Sequence, residues 1–165
     1  MVKEIQLTQG KVALVDDEDF EELNKYKWCA HKPGTASTYY AMRAISVIIN
    51  GKRKQKMIDM HRQILGFPKG MIDHINRNGL DNRKKNLRIC TRSTNRLNSK
   101  IRKDNKSGFR GVCWYKQTKK WVAHIAQPRI TIGYFDDVIE AAKAYDKKAI
   151  ELYGDFAQLN FNKTT

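Results

Sequence analysis

The sequence predicts an α+β fold with an N-terminal β-rich module, a central strand–loop–strand–helix kernel, and a C-terminal three-stranded antiparallel sheet packed on one helix. Three observations lead there. Short runs of alternating apolar and polar residues fill residues 4 to 49. Apolar residues recur at helical spacing from Val138 to Leu152. Between these regular regions, 101–107 is polar, basic and without apolar periodicity, as a linker would be. The resulting division is 1–52, 53–100, 101–107 and 108–165. With 165 residues, each part has only a modest core.

The runs EIQLT, KVALVD, YKWCAH and YYAMRAI read as antiparallel strands, with a short helix at DDEDFEELNKY whose opening acids suit the positive end of its dipole. Gly51 to Lys56 reads as a hairpin turn, and MHRQILG as one or two helical turns stopped by Gly66 and Pro68. Gly70 to Ile75 and Leu87 to Cys90 are strand-like, and Thr91 or Ser93 can cap a helix reaching about Ser99. Next come the strands FRGVCWYK, KWVAHIAQ and ITIGYFDD. The closing helix has Val138, Ala141, Ala142, Tyr145, Ala149 and Leu152 on one stripe, an Asp137/Glu140 capping box and a Gly154 stop.

The net charge is +15, and it is concentrated. Residues 76 to 120 carry fifteen Lys/Arg and only two acids, Asp81 and Asp104, an excess of thirteen. Such a band repels itself, so a polyanion is the expected partner, nucleic acid before an anionic membrane surface. Cys29, Cys90 and Cys113 are scattered and form no C-x-x-C pair, which supports neither a disulfide framework nor a cysteine zinc site. The sequence shows no apolar leader segment or membrane span, so a cytoplasmic protein without a membrane partner is expected.

The kernel MIDHINRNGLDNRKKNLRICTRSTNRLN, Met71 to Asn98, holds one histidine and six asparagines amid arginine and lysine. It is too small to fold on its own core, and a metal ion between hairpin and helix would hold it. Asp73 offers a hard oxygen ligand, Asn95 a second, and a neutral His74 could take a proton from water. Two protein oxygens leave most of the sphere to water and phosphate, as Mg²⁺ prefers, with Mn²⁺ able to substitute; zinc would prefer nitrogen or sulfur. Adjacent strand residues point to opposite faces, so Asp73 and His74 can serve one site only if the strand twists or bulges. Asn76, Asn78 and Asn98 read as loop and helix-end residues, and Asn82, in the DNR turn, as a turn former. His61 reads as a packed residue and His31 as surface.

The frame IDHINxNxLDNRxxNLR, with Asn86 twelve residues after His74 and Asn95 nine further, resembles the ββα-metal motif of HNH homing endonucleases in its His-Asn-Asn branch. The resemblance implies His74 as general base, Asp73 and Asn95 as ligands of one divalent cation, and Asn86 as the residue that steadies the loop. Arg62, Arg88 and Arg92 lie close enough in sequence to reach the scissile phosphate, and Lys100, Arg102 and Lys103 of the connector are further DNA-binding candidates.

The cues RGV, KW, IGYF, EAAxAYD and LNF between Ser107 and Phe161 resemble the APETALA/ethylene-response-factor DNA-binding domain, whose sheet lies in the DNA major groove. By position Arg110, Lys120 and His124 are implied DNA contacts. Trp114 and Lys116 share Arg110's strand parity and are expected to face the same way, whereas Trp121 and Phe135 read as core under the helix. Cys113 and Ala126 stand where plant members carry base-reading arginines, and Thr131 replaces a tryptophan, so no target sequence carries across.

These readings lead to a metal-dependent endonuclease of double-stranded DNA, of the kind found in mobile elements of phage or bacteria. It would act as a monomer without an obligate protein partner and nick one strand; a double-strand break would need a dimer or a second visit. The alternative is a sequence-specific DNA-binding regulatory protein whose nuclease module is inactive or secondary, and single-stranded RNA is a third candidate ligand.

Overall fold

The computed structural model describes residues 1–34 and 36–161, which form two compact units, Met1–Arg92 and the residues from Ser93 on. It is mixed α and β, as the sequence predicts. No helix among the described residues is long and apolar enough to cross a membrane.

In the first unit, β1 (Val2–Gln6) and β2 (Val12–Asp16) pair antiparallel, followed by α1 (Asp17–Leu23) with three acids in its first turn. A second sheet has the order β3 (Cys29–His31), β4 (Tyr40–Ile49), β5 (Lys52–Asp59) and leads into α2 (Met60–Ile64). Alternation gives each strand one inward row. Ile5, Ala13, Val15, Leu23, Trp28, Ala41 and Met60 close a single core, and the Trp28 indole N–H is satisfied by the Leu23 carbonyl at 2.8 Å.

Gly51 to Lys56 does not form the expected hairpin turn. Only Asn50 and Gly51 turn, both at positive φ, as a two-residue hairpin connection requires. Lys52 already pairs with Ile49, and the pairing continues to Met42↔Asp59. The basic run offers no apolar alternation, so its strand character comes from cross-strand hydrogen bonds alone. A boundary at residue 52 falls at this hairpin's tip, with β5 beyond it paired to β4 before it.

β6 (Met71–His74) and β7 (Leu87–Cys90) form the kernel hairpin, and α3 (Arg92–Leu97) follows, ending two residues before Ser99. The pairing runs unbroken from Met71↔Cys90 to His74↔Leu87, so the bulge expected at Asp73 and His74 is absent.

In the second unit β8 (Val112–Tyr115), β9 (Lys120–Ile125) and β10 (Ile130–Phe135) make an antiparallel sheet with β9 central, and α4 (Val138–Tyr153) packs on it. Val112, Ala123 and Ile125 meet Ala141, Ala142, Tyr145 and Ala149, with Trp121 and Phe135 partly buried against them as expected. Asp137 accepts a hydrogen bond from the Glu140 N–H, the cap read from sequence. Leu152 departs from the predicted stripe: it is 38% exposed in the last turn of α4, where the neighbouring Tyr153 packs against the core instead. Gly111 sits at φ +69° with the Tyr145 ring against it, and a Cβ there would lie 2.2 Å from that ring. The closing Asn160 is tied at both ends: its N–H reaches the buried Asp146 carboxylate, while its side chain holds the Arg110 N–H and carbonyl.

Candidate active site and nucleic-acid interface

His74 ends β6 and is 5% exposed, and Asp73 before it is 7% exposed. Each has its own environment. Asp73 lies opposite Arg88 on β7, and both Nε and Nη2 of that guanidinium donate to Asp73 Oδ2, at 3.0 and 2.8 Å. His74 Nε2 lies 3.1 Å from Asn82 Oδ1. The Asn82 amide nitrogen is turned the other way, toward the Leu80 carbonyl and Met60 sulfur, so Oδ1 is the acceptor and Nε2 carries the proton. Nδ1 is then the basic nitrogen of the ring.

Aromatic rings close over His74 from the same unit. Its centroid lies 5.2 Å from that of His61 and 5.8 Å from that of Tyr40, both edge-on. Burial pushes the His74 imidazole below its ordinary value, and the Asn82 hydrogen bond and Asp73 charge pull it partly back. His61 falls further, to about 4, through burial and then the neighbouring His74 and Arg62; its buried Nδ1 has no hydrogen-bond partner among the described residues. Both rings are therefore neutral near pH 7.

The loop between β6 and β7 has a core of amides. Asn86 Oδ1 accepts the Asn76 N–H at 2.9 Å, and its Nδ2 donates to Asn76 Oδ1 and, at 2.7 Å, to the Asp81 carbonyl. Asp81, 2% exposed, receives the Arg83 fork and the Asn76 amide, and these hold its carboxyl below the usual range. Asn76 and Asn78 each accept a backbone N–H two residues on, as turn formers do.

The N-terminal sheet braces the same loop. Leu14 of β2 donates to the Leu80 carbonyl and accepts from the Asn82 N–H, both at 2.8 Å. Asp16 accepts the Lys84 N–H, while the Lys84 ammonium meets Glu18 and Asp19 of α1.

Two basic candidates of this unit are already engaged. Arg62 donates to the Gly70 and Pro68 carbonyls, bracing the turn after α2, and Arg88 is paired with Asp73. Arg92 is exposed at the start of α3, and Asn95 lies half-buried on the same helix. The donor types suit a hard divalent cation. Asp73 is a desolvated carboxylate held beside a cation, an oxygen donor of the kind such an ion takes, and among the described residues no group of three or more His, Cys, Asp or Glu gathers to hold a metal ion.

In the second unit, a cavity of about 810 Å³ is lined by Arg96, Lys100, Arg102, Lys106, Arg110 and Lys116, with Asp104 and the sheet residues Cys113 and His124. Lys103 is exposed outside that lining. Arg110 reaches the Ser99 carbonyl and Lys120 the Asp136 carboxylate.

The strand register sorts the two faces. Cys113 pairs with Val122, Tyr115 with Lys120, and His124 with Thr131, forming the row opposite α4. Trp114 instead pairs with Trp121 and stacks on it edge-on at 5.1 Å, so it belongs to the α4 side although 46% exposed. The expected common facing of Arg110, Trp114 and Lys116 is therefore not the parity of the free face. Arg110 and Lys116 lie outside β8, where alternation does not reach. Tyr115 occupies the outward place and meets Tyr134 at 6.0 Å, and Val122, which pairs with Tyr134, is buried.

Comparison with known proteins matches residues 62–97 to the HNH endonuclease family and residues 107–155 to the AP2 domain. Protein 3.8 of Escherichia phage T7 is 32% identical over 94 residues, covering 56% of this chain and 78% of that protein. The chain belongs to the HNH endonuclease family and carries an AP2 domain. An uncharacterized HNH endonuclease, L560 of Acanthamoeba polyphaga mimivirus, is 28% identical over 160 residues, 92% of this chain and 76% of its own length. The AP2 domain alone resembles APETALA2-like protein 2 of Oryza sativa, 41% identical over 58 residues, 34% of this chain. The chain spans only 13% of that rice protein's length.

Of the residues singled out in the HNH module, Asp73, His74 and Asn86 lie on the hairpin of the first unit, and Asn95 lies in the second unit. Asn82 is the residue that sequence reasoning missed. It is fully buried against His74, and its only sequence signal was an asparagine in a turn too rich in turn formers to single it out. Arg88 had a clearer signal, since the hairpin register places it opposite Asp73.

Proposed function

We propose that the protein is a site-directed DNA endonuclease of the homing type that hydrolyses one phosphodiester bond, nicking one strand and leaving 5′ phosphate and 3′ hydroxyl. The observation that carries this reading is a buried His74, its imidazole lowered by burial and its Nε2 3.1 Å from Asn82 Oδ1, next to a buried carboxylate inside the HNH module. Nδ1 of His74 takes the proton of the attacking water. Asn86 holds the loop that shapes the site. Asp73 and Asn95 would hold the divalent cation, Mg²⁺ with Mn²⁺ as substitute. When bound, the cation supplies Lewis-acid stabilisation of the charge gathering on the phosphate and leaving oxygens. Before that, Arg88 compensates the Asp73 charge.

The basic lining of the second unit, with Lys100, Arg102 and Arg110, binds the DNA backbone, and the free face of the AP2 sheet, with Lys120 and His124, enters the groove. Similarity to a phage protein supports a role in a phage or bacterial host.

The test is incubation of the wild type and His74→Ala with supercoiled plasmids drawn from a DNA library, in Mg²⁺ or in EDTA, followed by mapping of the ends. Metal-dependent open circles lost in the variant are expected. A wild type that binds a defined duplex but leaves it intact in Mg²⁺ and Mn²⁺ overturns the nuclease reading and leaves a DNA-binding regulator.

A further inference from the structure

The Asn82 side chain is fully buried although it is polar, and an amide in that position needs partners on both of its ends. It has them. Nδ2 is directed to the Leu80 carbonyl and the Met60 sulfur, and Oδ1 to His74 Nε2. The Asn82 backbone is fixed as well, because its N–H is held by the Leu14 carbonyl of β2 while Leu14 N–H holds Leu80, so the segment 80–82 is appended to the edge of the N-terminal sheet. A neutral imidazole in water divides between two tautomers. A ring whose Nε2 donates to an amide oxygen is held in one of them.

We propose that Asn82 is a positioning residue for the proposed reaction: its carbonyl oxygen locks His74 in the Nε2–H tautomer and orients Nδ1 toward the water to be deprotonated, with β2 as the rigid support behind it. The proposal rests on the reading of His74 as the base. It gives the N-terminal sheet a part in catalysis, since the chain Leu14–Asn82–His74 joins β2 through two hydrogen bonds to Nε2, the ring nitrogen opposite the reacting Nδ1. The asparagines then divide the work, Asn86 and Asn76 holding the loop to itself and Asn82 holding the ring. Outer partners that orient metal-ligating histidines are worth about ten- to a hundredfold in affinity or activity, and an effect of that order is expected for this ring.

The deciding measurement needs no activity. In protein labelled with ¹⁵N at histidine, two-bond correlations at pH 7.5 report the tautomer of each ring, with His74 assigned by the loss of its signals in His74→Gln. Wild type is expected to show His74 as Nε2–H alone; Nδ1–H as the main form overturns the proposal. Asn82→Leu, which keeps volume and removes the acceptor, is expected to show mixed tautomers and a kcat about ten- to a hundredfold lower with unchanged duplex affinity. Asn82→Asp, which keeps an acceptor oxygen, is expected to restore the single tautomer and most of kcat. Mixed tautomers with full kcat would refute the positioning role. Should Asn82→Leu fail to fold, the wild-type tautomer and the Asn82→Asp arm still decide. A wild type with His74 locked as Nε2–H that cuts no DNA removes the base reading and this proposal with it, a result that loose positioning alone could not give.

Discussion

His61 makes the first unit acid-sensitive by a calculable amount. Its folded value of about 4 lies roughly 2.5 units below the ordinary 6.5, and each unit corresponds to about 1.4 kcal/mol. Because the folded value is the lower one, the unfolded chain binds this proton first as pH falls. The contribution is complete above pH 6.5, shrinks through the window from 6.5 to about 4, and amounts to about 3 kcal/mol across it. His74 shifts in the same direction, whereas burial raises Asp59, which opposes them at the acid end. His61→Phe isolates the His61 share. It keeps a ring against Tyr40 and His74 and deletes a buried nitrogen without a partner, so it should leave stability at pH 7.5 unchanged or raised by about 1 kcal/mol. Urea unfolding at pH 7.5, 6.5, 5.5 and 4.5 can be followed by fluorescence of Trp28, which is buried in this unit, in a Trp114→Phe/Trp121→Phe background. The variant should lose about 2 to 3 kcal/mol less than its parent between pH 7.5 and 4.5. Equal losses would refute the account of His61 as a buried neutral ring.

Two further outcomes test the electrostatics. Arg88→Ala leaves Asp73 buried without its guanidinium and should cost about 3 kcal/mol of unfolding free energy in urea; if Asp73 is a cation ligand, millimolar Mg²⁺ should return part of it, more than in wild type. In DNA titrations, Lys100→Gln/Arg102→Gln should lower the slope of log K against log salt by about 2, whereas Arg62→Gln, whose side chain is committed to carbonyls, should change it little. Slopes that respond equally per charge removed would contradict the placement of the interface.

Much of the fold was legible because its strands carry the period their burial requires. The three C-terminal strands and α4 with its Asp137 cap announce themselves by alternation, helical spacing and capping chemistry. Strand β5 did not, because Lys52 to Lys56 is exposed on both faces, so no burial pattern marks it; only the Asn-Gly turn and the apolar strand before it could. Leu152 misled in the opposite sense, since helical spacing puts it on the stripe while Tyr153 takes the place against the core. The facing of Trp114 was misread because parity was counted from Arg110, across a Gly111 whose positive φ breaks the extended backbone that parity assumes.

The site was legible where spacing carries chemistry and illegible where a fold contact does. Asp73, His74 and Asn86 follow from the motif. Asn82 and Arg88 follow instead from what stands behind each principal residue on the unbroken strand. Asp73 and His74 leave a regular strand in opposite directions, and each meets its own support, Arg88 across the hairpin and Asn82 beneath the loop. A bulge would have moved one residue away from its partner, exposing a buried charge or freeing the ring to change tautomer. The kernel achieves its geometry by fixing each side chain separately. Its many asparagines follow from that: in the loop 75–86, with almost no apolar surface to bury, amides that donate and accept at once take the place of a core.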